Sequence, residues 1–238
     1  MRYLRAVVLS MLLTGAGLHA QTWDGGGGNN NWSTGLNWIG DVAPANNGSA
    51  NLFFAGAIRP TPLVDFPWSI NSLTLNAGAA AFTISGSGLT IGTGGVTNNS
   101  LSALTINNGI TLSADQSWHA ANGSLIFGGS VNVAAQSLNI AGANNTTISG
   151  ILAGTGSINK TNSGILTLSG AALNTFSGTY RVNQGTVALN KTPGIDAIRG
   201  ALEVGDGLGA ANSDVVRLGA PNQIQDSSTS SLTTQACS

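Results

Sequence analysis

A short unit recurs along most of this chain, and it leaves few folds open. Two or three alternating apolar positions run to a stop at Gly or Asn. The units are "SLTLNAG" (72–78), "FTISGSGLTIG" (82–92), "LTINNGITLS" (104–113), "SLIFGGSVNV" (124–133) and "SLNIAG" (137–142), followed by "TTISG" (146–150), "GSINK" (156–160), "ILTLSG" (165–170), "TYRVN" (179–183) and "TVALN" (186–190). Period-two alternation puts Leu166 and Leu168 on one face of a strand and Thr167 and Ser169 on the other. Tyr180 with Val182, and Val187 with Leu189, repeat that arrangement. No apolar stripe of helical period crosses this region, so helices are disfavoured.

Many short strands joined by small polar turns fit either a sandwich or a solenoid. Three features favour the solenoid. The turns suit left-handed corners. Asn stands at strand ends (Asn76, Asn107, Asn108, Asn132, Asn139, Asn159, Asn183 and Asn190), where stacked turns would align amides into ladders. Aromatics are only 5% of the chain, whereas a sandwich core usually holds several as anchors. The expected fold is an all-β parallel β-helix, with residues 66–218 stacked in roughly six or seven rungs. Its inward set is Leu73, Leu75, Leu104, Ile106, Leu125, Val131, Leu138, Leu166, Leu168, Val182 and Leu189.

Composition narrows the partners. Charged residues make up 7% of the 238 positions and the formal net charge is −1. A balance so close to zero offers no electrostatic footprint for nucleic acid or an anionic membrane. "MRYLR" followed by the apolar run from Ala6 to Leu18 and by Leu18-His19-Ala20 has the layout of a signal peptide over residues 1–20, with cleavage before Gln21. The expected location is therefore secreted or at the cell surface, with no membrane insertion by this chain. The single cysteine, Cys237, has no partner for an internal disulfide.

Residues 21–65 read differently. "TWDGGGGNNNWSTGLNWIGDVAP" (22–44) carries Trp23, Trp32 and Trp38. A solenoid needs an atypical end to cover its open core, so this segment is expected to be an N-terminal cap. The competing reading is a sugar-stacking platform on Trp32, Trp38 or Trp118. Residues 219–238, ending "SSTSSLTTQACS", are expected to form a disordered or truncated tail.

"SGILAGTGSINKTNSGILTLSGAALNTFSGTYRVNQGTVALN" (149–190) resembles the autotransporter-associated β-strand repeat: a glycine-rich turn, Lys160, a strand at Gly164–Gly170, an aromatic turn at Asn174–Gly178, and a last strand over Val182–Leu189. The opening "WDGGG" segment and "GDGLGAANSDVVRL" (205–218) resemble flanking segments of such exported bacterial proteins. The resemblance implies a right-handed β-helix passenger whose full-length form is linked to an outer-membrane β-barrel or a sorting tail. Its partners would be cell-surface or matrix polysaccharide, or other copies of itself.

Residues that could carry chemistry are few. Glycoside hydrolysis normally needs two carboxylates, and between Asp65 and Asp196 the only acid is Asp115. Lys160 and Arg181 lack acidic neighbours in sequence, and His119 is expected to face solvent from a strand. Asp206 and Asp214 do not match a tandem calcium repeat. "GTGS" (154–157) and "GGGG" (25–28) sit in no βαβ context and read as turns, and the sequon Asn31-Trp32-Ser33 carries little weight. No catalytic, cofactor-binding or metal-ligating residue is assigned, and a non-enzymatic role is expected. The alternative is a carbohydrate-binding or carbohydrate-active β-helix.

Overall fold

The computed structural model describes residues 20–210 and 213–233. Within them the chain winds as a parallel β-solenoid of about seven turns, with no α-helix. The stretch read as a signal peptide lies outside the described residues apart from Ala20, and Cys237 lies outside them entirely.

Two long sheets form most of the surface. The first stacks ten strands, beginning Ala20–Trp23, Asn51–Phe54, Trp68–Leu75, Leu89–Asn98 and Gln116–Ala120. It continues through Ser137–Ala141, Ser157–Lys160, Thr179–Val182, Leu202–Val204 and Ser230–Leu232. The second stacks Leu63–Val64, Phe82–Gly86, Leu104–Ile106, Leu125–Phe127, Thr146–Ile148, Ile165–Gly170, Gly185–Lys191 and Asp214–Leu218. A narrow third side is made by Ile110–Leu112, Val131–Asn132 and Leu152–Ala153, stacked beneath Leu89–Ile91.

Register makes the repeat visible. Leu104 lies over Leu125, 21 residues on, and Ile158 over Tyr180, 22 residues on. The last coil is longer: Leu202 meets Ser230, 28 residues on, and Leu189 meets Leu218, 29 on. All eleven inward side chains named above are buried. The core is a file of mainly aliphatic side chains stacked from turn to turn, which is what period-two strands produce when stacked parallel and in register.

Close stacking explains many of the glycines. Gly156, Gly178 and Gly200 occupy one corner on successive turns, and a Cβ on Gly178 or Gly200 would run into the carbonyl oxygen of the glycine before it. Polar side chains tie other corners. Buried Asn174 accepts from Leu152 N (3.0 Å) one turn back and donates to Ala197 O (2.9 Å) one turn ahead. The expected amide ladders form differently. Asn139 and Asn159 are neighbours in register, yet their amides bond to Ser117 Oγ (3.4 Å) and Ser137 Oγ (2.9 Å). Asn139 has Ser117 directly one turn back, whereas Asn159 reaches past Asn139 to Ser137, two residues along the neighbouring strand.

The first segment closes one end of the stack. Asn37 to Ile39 run antiparallel to Thr22–Asp24, through Asp24 N to Asn37 O (3.0 Å), Ile39 N to Thr22 O (2.8 Å) and a bridge between Trp23 and Trp38. Asn30 to Trp32 cover the edge of the second sheet through Leu63 N to Asn30 O (2.7 Å) and Trp32 N to Leu63 O (3.0 Å). Behind them Trp23, Trp32, Trp38 and Phe54 pack with ring centroids 5.2 to 6.1 Å apart. Both free sheet edges at this end are thereby paired, as an open solenoid end requires.

Candidate functional site

The tryptophans are not a platform for sugar. Trp32, Trp38 and Trp118 have no exposed surface. Trp38 Nε1 donates to Trp32 O (2.8 Å). Trp118 stacks on Phe127 with centroids 3.8 Å apart and donates to Gln116 Oε1 (3.0 Å). These rings are core, so stacking a saccharide on them is excluded by burial.

The two lysines of the repeat region are also inside. Ile158 and Lys160 alternate with outward Asn159, and Val187, Leu189 and Lys191 share one face of their strand; both lysines therefore point inward and are buried. Lys160 Nζ donates to the carbonyls of Thr161 (2.8 Å), Asn162 and Gln184 (3.2 Å), closing a corner across two turns. Lys191 Nζ does the same with Ser169 O (2.9 Å) and Ala172 O (2.8 Å). Burial disfavours the ammonium, lowering Lys160 to about 8 and lowering Lys191 in the same direction. These cations replace missing backbone donors at corners. Period-two reading of "SINK" and "VALNK" places both on the inward face, and that is the signal that finds them.

The remaining charges are scattered. Arg181 gains an acidic neighbour only through stacking: Glu203, one turn on, lies 2.7 Å from its Nε. His119 faces solvent from its strand. Asp115 accepts from Ser137 N (2.8 Å), Asp206 from Leu208 N (2.9 Å) and Asp214 from Ser213 Oγ (2.9 Å). Among the described residues no three metal-ligating side chains come together. In the last coil an open cavity of about 470 Å³ is lined by Asp196, Asn222, Ile224, Gln225 and Asp226. Asp196 faces Arg199 across 3.8 Å, and Arg199 donates to Gln225 Oε1 (3.2 Å).

What sequence reading leaves unassigned is the outside of the second sheet. Thr83, Thr105, Ile126, Thr147, Thr167 and Ala188 lie in one continuous register file. The four threonines and Ile126 are half-buried, so each shows part of its side chain to solvent. Two positions along, Ser85, Asn107, Gly128, Ser149 and Ser169 form a second file.

The class of protein that these features define is a capped parallel β-solenoid. Comparison with protein-family models, with curated proteins and with solved structures finds no match to this chain.

Proposed function

We propose that this chain is an exported structural module, a solenoid that displays a polar, weakly charged surface for adhesion or matrix contact in the manner of an autotransporter passenger. The observation that carries the reading is the register of the stack. Every element of the repeat-like segment 149–190 has a structural task in it: Lys160 and Asn174 close corners, Gly178 permits close approach, and Leu166, Leu168, Val182 and Leu189 fill the core. The role is non-enzymatic, and the polar groups reaching the outside are chiefly hydroxyls and amides.

Export is tested by expressing the full chain in a bacterium with a general secretory pathway and reading the N-terminus of the extracytoplasmic product by mass spectrometry. A new terminus at Gln21 is expected. An exported product that keeps Arg2 overturns the signal-peptide reading.

A further inference from the structure

We infer that Gly219–Thr233 is a strap that lifts from the stack as one unit, hinged at Gly219–Asn222, and that two copies of the chain exchange their straps.

Burial shows how little holds the strap down. Between Gly219 and Thr233 only Gln223 is buried, and no apolar side chain is. The turn beneath is pinned by Ala197, Ile198 and Leu202, all buried, whereas Ile224 on the strap is half-buried and Leu232 is 72% exposed. Gln223 is therefore the peg. Its Oε1 accepts from Lys191 N (2.7 Å), its Nε2 donates to Ile195 O (3.3 Å), and its carbonyl accepts from Ala197 N (2.8 Å) and Ile198 N (3.0 Å). The other attachments lie nearer the surface: Gln225 N to Ile198 O (2.9 Å), Leu202 N to Thr229 O (2.9 Å), Thr233 N to Val204 O (2.9 Å) and Arg199 Nε to Gln225 Oε1 (3.2 Å).

The strap also fits its seat poorly. The open cavity of about 470 Å³ lies between Gly194 and Asp196 on one side and residues 222–227 on the other. Ser228 Oγ is enclosed without a hydrogen-bond partner among the described residues. Asn222, at the end of the hinge, is held at φ +53°, in the left-handed region that costs a non-glycine residue energy. Lifting the strap hydrates Ser228 and releases Asn222, so opening is opposed chiefly by the peg.

Opening bares Ala197, Ile198 and the edge of Leu202–Val204, and a free strand edge beside apolar side chains recruits a new strand. The strand that matches this edge is the strap itself. The fitting partner in solution is thus the strap of a second copy, which restores the same bonds between chains. The other end of the stack is covered by the tryptophan segment, so the exchange joins two uncapped ends and closes as a pair.

The test places Ile198→Cys and Ile224→Cys in the full chain with Cys237→Ser. Ile198 and Ile224 form a bridge pair, within reach of a disulfide when the strap is seated. Oxidised while dilute, the variant should run as a monomer on a non-reducing gel. Oxidised after incubation at high concentration, it should run as a disulfide-linked dimer that reduction dissolves. Monomers alone at every concentration overturn the exchange. Should the variant not fold by circular dichroism, hydrogen exchange on the parent chain decides. The amides of Ala197, Ile198, Leu202, Gln225 and Thr233 should share one level of protection, below that of Tyr180, and Gln223→Ala should speed them all on the order of tenfold or more. Loss of protection that spreads stepwise from Thr233 and spares Ala197 would be end fraying and overturns the strap. Either failure leaves the export reading untouched.

Discussion

Lys160 shows how one residue records its place in the stack. Its ammonium is held near 8 by burial, against an ordinary 10.5. Between those values the unfolded chain binds a proton that the folded chain has released, so stability rises as pH climbs from about 8 to 10.5. Lys191, lowered in the same direction, adds to the slope. Denaturant midpoints measured across that window should increase, and Lys160→Met should remove its own share while leaving that of Lys191. A flat profile in the parent chain would contradict the buried assignment. Asn174 is a second such position. Asn174→Ala strands Leu152 N inside the stack and leaves Ala197 O only its bond from Tyr180 Oη (3.3 Å), and it should cost about 1–3 kcal/mol by urea unfolding.

At the scale of elements, steric fit between turns decides more than hydrogen bonding within them. Gly178→Ala places a methyl group against the Gly156 carbonyl, and the turn must shift to admit it. A loss of about 1–3 kcal/mol is expected from the melting or denaturant curve, the size usual for overpacking. Trp38→Ala empties the centre of the cap and should cost about 3–5 kcal/mol. Much of this level can be read in the sequence. Leu166, Leu168, Val182 and Leu189 announce their inward face because strand period and apolar period coincide. The capping role of the tryptophans follows from their concentration ahead of the repeats. The pairing of Asn37–Ile39 with Thr22–Asp24 does not, since antiparallel contact across a loop leaves no periodic trace. Nor does the third side: "LTINNGITLS" reads as one unit, yet the chain turns a corner at Asn107–Gly109 and places Leu104–Ile106 and Ile110–Leu112 on different faces. Most of the expected Asn ladders fail because register is invisible until the strands are aligned: Asn190 lies over Ser169, and Asn132 between Thr111 and Ala153. Where two do align, at Asn139 and Asn159, serine hydroxyls take the bonds.

For the whole molecule, stability in a solenoid is close to a sum of nearest-neighbour terms. The middle turns have buried neighbours on both sides, whereas Asp214–Leu218 and Ser230–Leu232 are half-buried or exposed along their length. Hydrogen exchange should therefore show the strongest protection from Leu73 to Leu189 and a fall across the last coil. Uniform protection through Leu218 would mean that the longer connections of that coil add contacts beyond simple stacking.

The paired edges at the tryptophan end also give the molecule a direction. With Thr22–Asp24 and Leu63 already paired there, that end offers little free edge to an added strand, so ordered growth proceeds more readily away from it. Each finished turn is the template for the next, always on the same side. A chain delivered across a membrane N-terminus first, as the proposed export would deliver it, supplies its residues in that sequence, so its turns can settle one after another without waiting for distant segments. A circular permutant that delivers the tryptophan segment last would lose that advantage and should reach the same stack more slowly.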